Sequence, residues 1–163
     1  MTTTHVIRVD SPIGRIEVVG TADAVTGLAI ERDGALPHDG LPESDLPLLI
    51  EASRQLEEYF AGERTGFYLP LELHGTPFQR AVWSELRRLD WGQAVSYGAL
   101  AEAVGRPGSA RAIGGAVGAN PVPIIVGCHR VLASDGRITG YSGGEGVPTK
   151  VWLLGHERIG FAA

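Results

Sequence analysis

The chain opens with alternating apolar and polar positions. His5-Val6-Ile7-Arg8-Val9 and Arg15-Ile16-Glu17-Val18-Val19 are β-branched and partly alternating, which predicts two strands. Asp10-Ser11-Pro12-Ile13-Gly14 between them has turn chemistry, and Val25 to Glu31 fits a third strand. Residues 33–44, rich in Gly, Pro and Asp, read as a surface loop. The period then lengthens. Leu49, Ala52, Leu56 and Tyr59/Phe60 form a stripe that predicts a helix from Leu46 to Ala61, capped by Ser44 or Asp45 and stopped at Gly62. Glu57 and Glu58 fall on its solvated face. Residues 66–75 read as a linker with a short extended piece.

The second half is helical by the same criteria. Thr76, Pro77 and Gln79 make a capping box for a helix running to about Arg88, which buries Phe78, Val82 or Trp83, and Leu86. Ser96 and Gly105 bracket a short helix, and Arg106-Pro107-Gly108 is a tight turn. Ser109 is placed to cap a second helix, Ala110 to about Ala119. Two short helices around a Gly-containing turn fit a helix-turn-helix. The apolar run Val122 to Val126 reads as a buried strand that delivers Cys128. Val131-Leu132-Ala133 follows as a strand, Gly140 to Gly144 as a glycine-rich loop, and Pro148 to Ile159 as the last helix. The fold class is therefore α+β: a small N-terminal antiparallel sheet plus helix (1–74), then a mostly helical domain with a helix-turn-helix (75–163).

The second short helix holds Ala110, Ala112, Gly114, Gly115, Ala116, Gly118 and Ala119. Each glycine lowers helix propensity by about 1 kcal/mol relative to alanine. Such a bare surface permits either close packing inside the protein or close approach of a partner backbone. Arg111 is its one long charged side chain, either solvated or a probe that enters a duplex.

Charge divides the chain. Residues 1–74 hold five Arg and thirteen acidic residues, and residues 75–163 hold nine basic and six acidic ones, giving −8 and +3 within the total of −5. The second half is free to meet an anionic partner, though +3 alone does not specify nucleic acid.

Cys128 is the single cysteine, so no intramolecular disulfide or multi-cysteine zinc site is expected. The five histidines lack metal-ligand spacing, and neither metal nor cofactor is implied. No signal peptide or membrane-length apolar run is evident, and the cytoplasm is the expected location. A lone cysteine is commonly a small core residue. Against that, Gly127-Cys128-His129-Arg130 turns abruptly from apolar to basic, and cationic neighbours favour the nucleophilic thiolate. Asn120 lies just upstream, and Cys, His and Asn recur together in thiol catalysis. Adjacent side chains usually diverge, which counts against a thiol hydrolase built from Cys128 and His129 alone.

Six ordered segments then converge. Val95-Ser96-Tyr97-Gly98-Ala99-Leu100-Ala101, Ala110-Arg111-Ala112-Ile113-Gly114-Gly115-Ala116, Asn120-Pro121-Val122-Pro123-Ile124, Cys128-His129-Arg130-Val131, Gly140-Tyr141-Ser142-Gly143-Gly144 and Trp152-Leu153-Leu154 resemble the O6-alkylguanine-DNA alkyltransferases in order and spacing. The chain departs from the family pattern at Gly127, where proline is usual.

The resemblance implies that Cys128 accepts an alkyl group irreversibly, one per molecule. His129 would take the thiol proton through a water, Glu157 would fix the His129 tautomer, and Asn120 would support the turn. Tyr97, Val131, Tyr141, Ser142 and Pro123 would bind the base. Ala110, Arg111, Ala112, Gly114 and Gly115 would meet the minor groove of double-stranded DNA carrying O6-alkylguanine, with Arg111 replacing a flipped nucleotide. A monomer is expected, with association along DNA open. The alternative is a non-catalytic alkyltransferase-like lesion binder, which Cys128 argues against.

Overall fold

The computed structural model describes residues 3–162. Strands β1 (His5–Val9), β2 (Ile16–Gly20) and β3 (Val25–Ile30) form one antiparallel sheet in the order β1-β2-β3. Val6, Ile16, Val18 and Val25 are fully buried beneath helix α1 (Pro47–Phe60), which packs on β1 and β2. The periodicity predicts that Leu49, Ala52, Leu56 and Tyr59 face the sheet, and all four are fully buried.

Two details of this half stand out, and the second differs from the sequence reading. Glu17 is buried, because the 33–44 loop folds over it; the His38 backbone N–H donates to its Oε1 at 2.9 Å and ring Nδ1 meets Oε2 at 2.6 Å. Neither Ser44 nor Asp45 caps α1. Pro47 requires an extended residue before it, so Leu46 (φ −58°, ψ 128°) is the N-cap, and Ser44 Oγ accepts the Leu46 N–H at 3.1 Å.

Helix α2 (Pro77–Leu86) carries the expected capping box from Thr76 and Gln79. Val82, Trp83 and Leu86 are buried and Phe78 half-buried. Strand β4 (Val95–Ser96) pairs in parallel with β5 (Val131–Leu132), and Ser96 caps α3 (Tyr97–Ala103) by accepting the Ala99 N–H at 3.0 Å. Helix α4 (Ala110–Gly118) packs on α2 and α3. Trp83 Nε1 donates to the Ala116 carbonyl at 2.8 Å, which locks α2 to α4 inside the core. Ser109 does not cap α4 with its hydroxyl: at φ −98°, ψ 34° it lacks the extended backbone an N-cap uses. Helix α5 (Val147–His156) stops three residues earlier than Ile159, where Arg158 turns left-handed (φ 59°).

Apolar residues of the sheet, α1, α2, α4 and α5 belong to one continuous cluster, and Cys128 is part of it. Among the described residues, no helix is long and apolar enough to cross a membrane.

Candidate active site

The apolar run Val122 to Val126 predicts a strand, and the structure shows a tight turn instead. Its apolar character reflects burial, since Val122 and Val126 are fully buried, rather than sheet pairing. Asn120 holds the turn from both ends: its Oδ1 accepts the Val122 N–H at 3.0 Å and its Nδ2 donates to the Val126 carbonyl at 2.8 Å. Val126 N–H closes onto the Val122 carbonyl at 2.9 Å. Ile124, at φ 76°, occupies a region that costs a β-branched residue about 1–3 kcal/mol. The Asn120 clasp and the surrounding core hold it there. The chain leaves this turn directly into a 3-10 turn, Cys128–Arg130, whose three side chains are all buried.

That turn sends Cys128 and His129 in different directions. Cys128 is 3% exposed and forms part of the wall of a cavity of about 790 Å³. His129 is fully buried and does not line that cavity, with Nε2 at 2.7 Å from Glu157 Oε2. A carboxylate only accepts, so Nε2 carries the proton and Nδ1 is left with its lone pair. Nδ1 is buried and has no hydrogen-bond partner among the described residues. Burial lowers the His129 pKa while Glu157 pulls it up, and the balance favours neutral imidazole.

Glu157 is the most heavily bonded group in the site. Besides His129, it accepts from Arg130 Nε (Oε1, 2.7 Å), Arg130 Nη2 (Oε2, 3.1 Å) and the Tyr59 hydroxyl (Oε2, 2.6 Å). Burial raises its pKa, but the donations from His129 and then Arg130 outweigh that and bring it to about 2. Burial likewise pushes the Cys128 thiol up; Asn120, Tyr141 and Lys150 work against it. The Tyr141 hydroxyl is buried near the sulfur and favours the thiolate, although it forms no hydrogen bond of ordinary geometry. Lys150 is 1% exposed and donates from Nζ to the Val131 carbonyl at 2.6 Å and the Gly140 carbonyl at 3.2 Å.

The cavity mouth is made by α3, α4 and the loop before α5. Tyr97, Ala110, Arg111, Gly114, Tyr141 and Ser142 all line it. Thr139 Oγ1 donates to Tyr97 Oη at 3.0 Å, and Ser142 Oγ is engaged by the Gly118 carbonyl at 2.9 Å. Asn120, His129 and Glu157 do not line the cavity. Pro123 is buried within the turn and, with the Val131 side chain, stays out of the cavity wall. Ala112 and Gly115 are exposed on α4 outside it.

The glycines of α4 are not there for internal packing. A Cβ built at Gly115 or Gly118 meets nothing within 4 Å, and at Gly114 only the Tyr97 ring at 3.9 Å. Internal packing therefore does not require glycine at these three positions. At Gly127 the backbone runs at φ −74°, within proline's range. A Cβ there would sit 3.0 Å from Arg130 Cδ and 3.1 Å from Nε, so the Arg130 side chain occupies space that glycine leaves open.

Sequence reasoning passed over Lys150, Arg130 and Tyr59. Lys150 had one signal: it is the sole lysine among fourteen basic residues. Arg130 was noticed only as a basic neighbour of Cys128. Tyr59 read as a core residue of α1, and nothing local pointed to its hydroxyl.

Family models for the ribonuclease-like domain and the DNA binding domain of 6-O-methylguanine DNA methyltransferase match residues 5–73 and 77–159. The chain is 39% identical over 156 residues to the constitutive methylated-DNA–protein-cysteine methyltransferase of Bacillus subtilis, covering 93% of this chain and 94% of the relative. It is 43% identical over 161 residues to the methylated-DNA–protein-cysteine methyltransferase of Mycobacterium leprae, covering 94% and 92%. Among solved structures, Mycobacterium tuberculosis OGT in complex with DNA superposes with a TM-score of 0.84 at 41% identity, covering 94% of this chain and 93% of that one.

Proposed function

The chain belongs to the 6-O-methylguanine DNA methyltransferase family, and from that membership we propose that it repairs DNA by moving an alkyl group from guanine O6 to Cys128. The observation that carries the assignment of the acceptor is the placement of Cys128: it lines a cavity of about 790 Å³, roomy enough for a purine base, and is followed in the chain by a neutral His129 that Glu157 orients. This is an activated nucleophile whose base is held by a third group.

The step balances simply. The sulfur attacks the alkyl carbon, an S–C bond forms, the C–O6 bond breaks, and its electron pair stays with guanine. The thiol proton passes to His129 Nδ1 through a water. Tyr97, polarised by Thr139, hydrogen-bonds to the base as it gains charge, and Tyr141 walls the cavity. Lys150 balances the thiolate. A thioether is not a leaving group under these conditions, so each molecule acts once.

The DNA side follows from α4. A base inside a duplex is out of reach and must be flipped at a cost of about a few kcal/mol. The open surface of Gly115 and Gly118 lets a minor groove approach the helix, and Arg111 at the cavity mouth fills the space left by the flipped nucleotide. Residues 75–163 would bind DNA and transfer the alkyl group, as a cytoplasmic monomer, and residues 1–74 would support them.

Intact-protein mass after incubation with a duplex containing one O6-methylguanine tests the reading. The expected result is a gain of one methyl group, absent in Cys128→Ser. Lesion binding without any gain of mass would overturn it in favour of a non-catalytic binder.

A further inference from the structure

Among the polar contacts from the first half of the chain to the second, one reaches the candidate active site. Tyr59 is fully buried on α1, 98 residues from Glu157, and its hydroxyl donates to Glu157 Oε2 at 2.6 Å. That oxygen is the same one that accepts the His129 Nε2 proton. The helix end is fixed independently, because His156 Nε2 bonds the Tyr59 carbonyl at 2.7 Å and its ring meets the Tyr59 ring edge-on, centroids 5.0 Å apart. A phenylalanine at 59 would keep that packing, including the T-shaped contacts with Phe60 and Trp91. The hydroxyl therefore does something beyond filling space.

Resting on the alkyl-transfer reading above, we propose that Tyr59 is a positioning residue that sets the proton affinity of His129 by competing with it for Glu157 Oε2. A carboxylate oxygen that already receives a short hydrogen bond from a phenol is a weaker acceptor for the imidazole N–H. His129 then holds an added proton less firmly and stays neutral, ready to receive from Cys128, at lower pH. The charged and titratable groups around this pair are few. Arg130 comes from the 3-10 turn, Lys150 and His156 from α5, the latter packed on Tyr59, Cys128 and Tyr141 from the cavity side, and Tyr59 from α1. Among the described residues, Tyr59 alone comes from the first half, and it is a donor that carries no charge. Residues 1–74 thus supply a working part of the site as well as support.

The test is the pH dependence of single-turnover methyl transfer from a duplex with one O6-methylguanine, for the full-length chain and Tyr59→Phe, between about pH 5 and 9. In Tyr59→Phe the acid limb moves to higher pH by about half to one unit, which slows transfer about three- to tenfold below the wild-type midpoint. Incorporation of 3-fluorotyrosine at 59, a stronger donor, moves the limb the opposite way and keeps the test available should Tyr59→Phe fold poorly. A purely structural role would lower the reactive fraction or the Tm and leave the midpoint in place for both variants; that outcome overturns the proposal. Wild type that takes up no methyl group overturns the function reading instead, so the two failures are distinct.

Discussion

Replacing Glu157 by Gln removes a buried charge and puts an amide NH2 where only an acceptor fits. The carboxylate receives four donations, from Tyr59, His129 and twice from Arg130, at 2.6 to 3.1 Å. The Gln carbonyl can serve one side; its NH2 must face donors on the other. Arg130 cannot adapt, because a guanidinium has no acceptor. Tyr59 can rotate, and His129 can move its proton to Nδ1, the nitrogen that has to accept from Cys128. Two effects follow. Leaving one partner of a buried ion pair uncompensated costs about 3–5 kcal/mol. The same contacts, read from a carboxyl held at about 2 rather than 4.5, represent about 3 kcal/mol of differential interaction. That contribution is present above about pH 4.5 and is lost as the pH falls toward 2. At about 3 kcal/mol, Tm should fall by about 6–12 °C for a chain of this length. A wrong imidazole tautomer should slow transfer by about 10³- to 10⁴-fold. Thermal unfolding at pH 7 and single-turnover transfer read the two effects separately. A Tm within about 2 °C of wild type together with a rate within about threefold would refute both roles of Glu157, as buried counter-charge and as orienter of His129.

Arg111→Ala should slow repair of duplex DNA more than reaction with free O6-benzylguanine, and equal slowing of both would remove Arg111 from base flipping. Gly115→Ala meets open space, so it should raise stability by about 1 kcal/mol while weakening duplex affinity; denaturant unfolding and a binding titration would check it, and unchanged affinity would mean the duplex does not approach this face. Burial lowers the His129 pKa below 6.5, so stability is full above that pH and declines as the pH drops below it, because the unfolded chain takes up the proton first. Unfolding curves from about pH 7 to 5 should show that slope, and His129→Gln should flatten it; an unaltered slope would assign the effect to another group.

Local patterns carried much of the fold. The β-branched alternation of residues 5–9, the Thr76/Gln79 capping box and the stripe on α1 each depend on residues a few positions apart, and each reappears in the structure. The run Val122 to Val126 reads as a strand because an apolar run records burial, and burial is shared by strands and tight core turns. Ser109 misled because a cap needs a backbone angle as well as a hydroxyl. Cys128, His129 and Glu157 were legible through the family's motifs. The grip of Arg130 and Tyr59 on Glu157 was not, since it arises from contacts across 27 and 98 residues that leave no periodic trace. Lys150 lies on a helix whose end was legible to within three residues, yet its inward direction depends on which loop the helix faces.

Helix α4 has a consequence for motion. It is nine residues long, contains three glycines and has no side-chain cap, so its intrinsic helicity is low. It persists because α2 and α3 lie against it and Trp83 bonds its Ala116 carbonyl. Its outer turns are therefore candidates for local opening well below the energy of global unfolding, and their amides should exchange with solvent early. A duplex laid against this face would suppress those openings. If the proposed α4 contact holds, part of what the protein gives up on binding DNA is the conformational freedom of that surface, and affinity becomes sensitive to anything that stiffens α4 in advance.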